Sequence, residues 1–153
     1  VWPMAIPEAG EQRWWRSGKF MIETTVPKYP LPELENRLFA VFLEVQKNLG
    51  SDVAERAYQD CLAFELERRQ IPFQHNASLM SEIDGQKMDS GFRVDFLIDA
   101  QVLLDIKCRE RPNFLDAEQM KTYLRLSGMS CGFIANFRSP RPDVAWQRIA
   151  RSR

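Results

Sequence analysis

Hydrophobic positions recur every three to four residues in two stretches of the first half of the chain, which predicts two amphipathic helices. The first runs from Leu34 to a glycine cap at Gly50. The second follows Ser51 or Asp52, either of which can cap its first turn, and ends before Pro72. The apolar positions are Leu38, Phe39, Val41, Phe42, Val45 and Leu49 in the first helix, and Val53, Ala54, Ala57, Tyr58, Cys61, Leu62 and Leu66 in the second.

Apolar and polar residues alternate on both sides of a short loop at 99–101, which predicts two antiparallel strands. Pairing Ile98 with Val102 fixes the register of this hairpin. It places Phe96–Leu104 and Val94–Ile106 on one continuous apolar face, and Leu97–Leu103, Asp95–Asp105 and Arg93–Lys107 on the other.

The predicted pairing brings two carboxylates, Asp95 and Asp105, directly opposite each other. Opposite side chains lie about 4.5–5.5 Å apart at Cβ, and like charges at that distance destabilise a sheet. A hard divalent cation prefers such oxygen ligands and removes the repulsion. The pattern therefore indicates a Mg²⁺ or Mn²⁺ site with Lys107 beside it. The alternative, a merely solvated charged strand face, stays open because such faces are common.

Further elements surround this hairpin. The pattern predicts a strand at 73–80, a turn at 82–86, a helix at 114–127 ending at Gly128, and an apolar last strand at 131–137 of the kind that is buried on both faces. A basic tail begins at Arg138, with Trp146 and Ile149 as candidate packing anchors. The order helix, helix, three strands, helix, strand predicts an α/β fold with helices flanking a mixed sheet.

Composition narrows the function classes. The 153 residues suit one domain, and Lys+Arg equals Asp+Glu at 21 each, so nucleic-acid binding would have to depend on a local patch or a metal. No apolar run predicts a membrane span or a secretion signal. The cysteines (Cys61, Cys108, Cys131) lack metal-type spacing, which favours reduced thiols in a cytoplasmic protein. The single histidine, His75, has no motif around it to support nucleophilic catalysis.

Residues 1–33 differ from the domain predicted over 34–153. They contain three of the four tryptophans and five of the nine prolines without sustained periodicity, which predicts an N-terminal arm or leader. Its Trp14–Trp15 pair, flanked by Arg13, Arg16 and Lys19, could stack on bases or dock on a partner protein or a second copy. An arm that packs on the domain or is partly disordered is the favoured alternative.

The order of elements, with Asp95 and the triplet Asp105-Ile106-Lys107, resembles the PD-(D/E)XK nuclease superfamily. More closely, the chain resembles the GxxExxY proteins of that superfamily, which are small bacterial proteins. The resembling pieces, within Leu34 to Ile149, are 44–50, 55–58, 91–95, 105–107, Gln119 with Tyr123-Leu124, and Asn136-Phe137. The chain departs from the family pattern at Gln46, Asp52, Asp105 and Asp116.

The resemblance implies a restriction-endonuclease-like α-β-β-β-α-β core with an extra N-terminal helix. It implies that Mg²⁺ or Mn²⁺ is held by Asp95, Asp105, the Ile106 carbonyl and Glu55, although a glutamate at a helix start is also a common partner of the helix dipole. Lys107 and Gln119 would act on the attacking water or the phosphate. Phosphate contacts would come from Arg109, Arg111, Arg138 and Arg141.

The expected function is therefore a metal-dependent nuclease that hydrolyses phosphodiester bonds in DNA, with RNA also possible. The alternative is a catalytically silent module of the same fold that binds nucleic acid or protein.

Overall fold

The computed structural model describes residues 26–151. The helices are α1 (Leu31–Leu49), α2 (Glu55–Arg68), α3 (Phe114–Ser127) and the short α4 (Pro142–Ala145); the strands are β1 (Phe73–Ile83), β2 (Gln86–Ile98), β3 (Val102–Lys107), β4 (Cys131–Asn136) and β5 (Trp146–Ala150). The predicted arm lies, up to residue 25, outside the described residues, and its division from the domain at 33/34 stays a prediction.

One mixed sheet contains the five strands in chain order. The pairs β1–β2, β2–β3 and β4–β5 are antiparallel, and β3–β4 is parallel. All six residues of β4 are buried, as predicted for a strand covered on both faces. The predicted hairpin register is confirmed where the ladder exists, at Ile98–Val102, Leu97–Leu103 and Phe96–Leu104. The mixed α/β sheet flanked by helices is therefore confirmed.

Two apolar layers hold the sheet. The helices α1 and α2 cover one face, where the rings of Tyr58 and Phe137 stack with centroids 4.5 Å apart. The helix α3 covers the other face. It approaches β4 closely because Gly132 has no side chain: a Cβ there would lie 2.5 Å from Met120 Sδ and 3.2 Å from the Leu103 carbonyl oxygen. Burial of these apolar side chains is the main source of stability.

The first hairpin is longer than predicted. β1 extends to Ile83 and β2 begins at Gln86, so only Asp84 and Gly85 form the turn. Both have positive φ, 51° and 78°, as the two-residue type I′ hairpin turn requires. The polar residues of 82–86 suggested a longer loop, but this end of the hairpin is exposed, so polar side chains are compatible with strand pairing there.

The end of the chain forms a helix and a strand where only a basic tail was predicted. The helix α4 and the edge strand β5 follow Arg141, and β5 pairs along β4. The predicted anchor Trp146 stacks on Phe133, with ring centroids 4.7 Å apart. Arg148, also on β5, forms an ion pair with Glu35 of α1. Sequence analysis missed this strand because it depends on pairing with β4.

The helix boundaries correct two further expectations. α1 begins at Leu31, before the predicted Leu34. α2 begins at Glu55, with Ala54 in the cap position and no side-chain cap, so the capping role predicted for Ser51 or Asp52 is wrong. The Tyr58 hydroxyl instead donates to the Gly50 carbonyl at 2.6 Å and ties α2 to the end of α1. The predicted bounds of α3, its Gly128 cap with φ of 74° and the Gly50 cap are confirmed.

The three thiols are free in the structure: Cys61 and Cys131 are buried, and Cys108 is partly buried. Between residues 26 and 151, no helix combines the length and the apolar character needed to cross a bilayer.

The turn between β2 and β3 holds the segment that enters α1. The Asp99 carboxylate, only 2% exposed, accepts hydrogen bonds from the backbone N–H groups of Lys28 and Tyr29, each at 2.8 Å. Gln101 Nε2 donates to the Tyr29 carbonyl at 2.8 Å. The hairpin turn therefore fixes where α1 begins relative to the sheet.

Replacing Asp99 with alanine is expected to lower the free energy of unfolding by about 1–2 kcal/mol, because two backbone donors lose a charged acceptor. Urea unfolding measures this change. Asp99→Asn is the matched control: it keeps one acceptor oxygen and tolerates the positive φ of 52° at this position, so it should lose less. Equal unfolding midpoints for Asp99→Ala and the wild type would show that these hydrogen bonds do not contribute to stability.

Candidate active site

The β2–β3 ladder ends where the two predicted carboxylates lie. Beyond Phe96–Leu104, no further backbone pair is formed between these strands. Instead Asp105 Oδ1 accepts from the Asp95 N–H at 3.0 Å, and Asp95 Oδ2 accepts from the Ile106 N–H at 2.8 Å. Each aspartate is thus held by the backbone of the opposite strand, which keeps the two side chains together.

This exchange of bonds overturns part of the predicted register. The predicted pairs Asp95–Asp105, Val94–Ile106 and Arg93–Lys107 are not part of the ladder. The expected continuous apolar face also breaks here, because Ile106 packs under α1 and α2 whereas Val94 packs under α3. The side chains of the acid pair take the ladder hydrogen bonds that the backbone would otherwise make. As a result the backbone ladder between β2 and β3 ends at the acid pair.

Burial and mutual repulsion shape the charge of the pair. Burial raises the pKa of Asp95 from its usual 3.8 to about 7, and the Asp105 charge adds to this, while the Ile106 N–H opposes it. Burial also raises the pKa of Asp105, against the opposing Asp95 N–H and the Lys107 charge. Two neighbouring carboxylates with raised pKa values are typical of a functional site.

The donor atoms fit a hard cation. One oxygen of each carboxylate, Asp95 Oδ1 and Asp105 Oδ2, accepts no hydrogen bond from any residue in 26–151. No group of three His, Cys, Asp or Glu side chains in that range is close enough to hold a metal. Mg²⁺ keeps several waters and is commonly held by only one or two carboxylates, so the pair suits it without a third carboxylate in contact.

Lys107 lies beside the pair and is oriented by α3. Its Nζ donates to Gln119 Oε1 at 3.3 Å and lies 3.9 Å from Asp116 Oδ1. Asp116 in turn binds the Arg109 guanidinium through both oxygens, at 2.8 and 3.1 Å. The structure therefore brings the predicted residues Asp95, Asp105, Lys107 and Gln119 together. The role of Asp116 was missed, although its i, i+3 spacing from Gln119 places both on one helix face.

Two residues, one on α2 and one on α3, interact electrostatically with the acid pair. Glu55, the exposed first residue of α2, contributes a negative charge that raises the pKa of both aspartates. Tyr123 lies behind the site on α3: burial, then the charges of Asp105 and Asp95, raises the pKa of its phenol. Glu55 therefore faces the predicted site, at a helix start where it also complements the helix dipole.

Asn136 is a supporting residue that sequence analysis did not single out as part of the site. It is 5% exposed at the end of β4, and its Oδ1 accepts from the Arg109 N–H at 2.9 Å and the Arg138 N–H at 3.3 Å. Its Nδ2 donates to the Arg109 carbonyl at 2.8 Å. The amide thus fixes the loop that follows Lys107. The available signal was a polar residue at the end of an otherwise apolar buried strand.

The architecture and the acid pair agree with an independent comparison of the sequence. The family profile of the PD-(D/E)XK nuclease superfamily matches residues 32–149. The chain belongs to that superfamily. Neither the curated proteins nor the solved structures compared with the chain include a match. The closer resemblance to GxxExxY proteins stays a prediction.

The arginines predicted to contact nucleic acid occupy different places in this PD-(D/E)XK domain. Arg109 borders the site through Asp116, and Arg111 is exposed in the loop before α3. Arg138 is partly buried, and its Nε has no hydrogen-bond partner within 26–151. Arg141 pairs with Asp143 at 2.7 Å, and no contact among the described residues joins it to the acid pair.

Proposed function

We propose that this PD-(D/E)XK protein is a metal-dependent nuclease that hydrolyses phosphodiester bonds, in DNA more readily than in RNA. The observation that carries the proposal is the opening of the β2–β3 ladder at Asp95 and Asp105. Each carboxylate uses one oxygen to accept a backbone N–H of the opposite strand and keeps the other free of hydrogen bonds from residues 26–151, near the charge of Lys107. Two neighbouring acids that are largely shielded from water cost stability, and a bound cation would offset that cost.

Asp95 and Asp105 would hold one Mg²⁺ or Mn²⁺, with the Ile106 carbonyl as a further ligand and Glu55 acting through a bound water. A divalent cation held there supplies positive charge to the scissile phosphate and lowers the pKa of a bound water. The raised pKa of Asp95 means that the site must release a proton before a cation binds near or below pH 7.

Lys107 would stabilise the negative charge that develops on the phosphate oxygens, or orient the attacking water. Gln119 accepts a hydrogen bond from the ammonium group and limits the positions it can take. Asp116 balances the charge of Lys107 and Arg109, so both cations remain beside the site. Arg109 and Arg111 would then contact flanking phosphates, which positions nucleic acid without reading its sequence.

The direct test is cleavage of a supercoiled plasmid, single-stranded DNA and single-stranded RNA by the purified chain with Mg²⁺ or Mn²⁺. We expect cleavage of DNA that stops when EDTA removes the metal. Metal-independent cleavage, or intact DNA and RNA in every reaction, would contradict the proposed function.

If Glu55 contributes to cation binding, Glu55→Gln should weaken Mn²⁺ affinity by roughly tenfold, because a charged partner that acts through a bound water is lost. Calorimetric titration measures the change. Glu67→Gln, on the last turn of the same helix, is the matched control. Unchanged Mn²⁺ affinity in Glu55→Gln would assign the residue to the helix dipole alone.

The alternative function is a catalytically silent nuclease-fold module that binds nucleic acid or protein. One observation favours it: Asp116 already lies 3.9 Å from the Lys107 ammonium group, which reduces the charge available to a phosphate. On this alternative the chain binds nucleic acid but leaves it intact with either metal, and Asp116→Asn does not produce cleavage.

A further inference from the structure

Two exposed aromatic side chains lie on the elements that carry Asp95 and Gln119. Phe92, 45% exposed, lies on β2 three residues before Asp95. Its ring centroid is 5.9 Å from that of Tyr123, whose phenol is close enough to Asp95 and Asp105 for both charges to raise its pKa. Phe114, 73% exposed, is the first residue of α3.

Phe114 is tied to the site through its own helix. Asp116 follows two residues later and lies 3.9 Å from Lys107 Nζ. The Asn113 side chain caps the helix by accepting from the Leu115 N–H at 3.0 Å, so the first turn has a defined position. Both phenylalanines therefore sit within a few residues of groups that contact the site, on two different elements.

These rings lie outside the core, and local backbone features account for the position of Phe92. Neither belongs to an apolar cluster of the core. Phe92 follows Gly91, whose φ of 82° suits glycine. The ladder is irregular here: the pairs on either side join Ser78 with Arg93 and Met80 with Asp89, so β2 carries a bulge. Bulges commonly redirect a side chain next to an active site.

Basic residues lie next to the two rings in the sequence. Arg93 follows Phe92 directly, and Arg109 and Arg111 precede Phe114. All three are at least partly exposed. Aromatic rings alternating with cations are the usual surface for single-stranded nucleic acid, because the rings stack on bases and the cations follow the phosphates. In a duplex the faces of the bases are covered by their neighbours, so exposed rings on a protein find little base surface on which to stack.

We infer that Phe92 and Phe114 stack on unpaired bases flanking the phosphate at the acid pair, so the substrate is a single strand or an unpaired segment of a duplex. The inference rests on the proposed function for its account of the phosphate. It adds the substrate class and assigns both phenylalanines as positioning residues. A protein partner or a second copy of the chain would be the other occupant of these rings.

The test measures binding separately from cleavage. Fluorescence anisotropy of an oligonucleotide of about 12 nucleotides, single-stranded or in a matched duplex, is followed with the Asp105→Asn protein so that the probe stays intact. Adding Phe92→Ala or Phe114→Ala should weaken single-strand binding by roughly tenfold and duplex binding by less than about twofold. Phe39→Ala is the control: this ring, 39% exposed, lies on the other face of the sheet beside Trp146.

Conservative variants separate stacking from simple apolar contact. Phe92→Trp should keep or strengthen single-strand binding, whereas Phe92→Leu, which is apolar without a ring, should lose about as much as Phe92→Ala. The inference is overturned if single-strand affinity is unchanged in both alanine variants, or if single-strand and duplex affinities fall equally. It is also overturned if sedimentation shows a dimer that the alanine variants dissociate and Phe92→Leu keeps.

The failures of the two proposals are distinguishable. If the wild-type chain cleaves DNA and the alanine variants bind as tightly as the parent protein, the nuclease stands and the stacking role is wrong. If no substrate is cleaved but the alanine variants bind single strands more weakly, the stacking surface stands and the chain is a binding module.

Discussion

Replacing Asp105 with asparagine is expected to reduce metal-dependent cleavage by roughly a thousandfold, which corresponds to about 4 kcal/mol of lost transition-state stabilisation. The asparagine side chain has nearly the same size, and its Oδ1 can still accept the hydrogen bond that the Asp95 N–H donates to Asp105 Oδ1 at 3.0 Å in the wild type. Only the charge that would hold the cation is removed. Lys107→Ala should reduce cleavage by roughly a hundredfold, because the cation site stays intact but a nearby hydrogen-bond donor is lost.

The stability of the Asp105→Asn protein distinguishes a catalytic role from a structural one. Without metal, this variant should unfold at the same temperature as the wild type or a higher one, because the repulsion with Asp95 is removed. Asp84→Asn, at the exposed hairpin turn, is the matched control for cleavage and stability. Full cleavage by Asp105→Asn, or loss of its fold, would show that the carboxylate does not serve a cation.

Between about pH 4 and pH 7, the free energy of unfolding of the metal-free wild type should fall by about 2–3 kcal/mol relative to that of Asp95→Asn. This figure allows for water at the partly exposed Asp95 side chain. The pKa of Asp95 is about 7 in the folded protein, against a usual 3.8. In that window the folded state therefore binds more protons than the unfolded chain. The free energy of unfolding decreases as pH rises and levels off above about pH 8.

Urea unfolding of the wild type and Asp95→Asn across this pH range measures the difference. Adding Mn²⁺ to roughly a hundred times its dissociation constant should restore about 2.7 kcal/mol to the wild type at pH 8 and much less to Asp95→Asn. Parallel stability profiles for the two proteins would mean that Asp95 is ionised at its ordinary pKa, and the electrostatic account of the site would be wrong.

The central hairpin shows why part of this site could be predicted from sequence. Alternation with period two gave the correct register from Ile98–Val102 to Phe96–Leu104, because one buried face fixes register strongly. Asp95 and Asp105 follow directly and meet through side-chain hydrogen bonds to the opposite strand. The same reasoning failed at Val94, which packs with the opposite face from Ile106. Periodicity assumes a continuous ladder, and the ladder stops where the carboxylates take its hydrogen bonds.

Other features depend on tertiary contacts that no local pattern contains. The strand at Trp146 exists because it adds to the edge of β4 and its arginine finds Glu35 on α1. The Asn136 amide binds both the N–H and the carbonyl of Arg109, a residue 27 positions away in sequence. Asp116 was visible only as a departure from the family pattern, whereas its ion pairs with Lys107 and Arg109 join residues of β3 and the following loop to α3.

The most direct test of the central claim is calorimetric titration of Mn²⁺ into the wild type and into Asp95→Asn/Asp105→Asn, near pH 6, in two buffers of different ionisation enthalpy. The account predicts that the wild type binds one ion per chain and releases close to one proton, because Asp95, with its pKa of about 7, is protonated before the ion binds. The double variant should not bind. Equal binding by both proteins, or no binding by the wild type, would contradict a cation site at this acid pair.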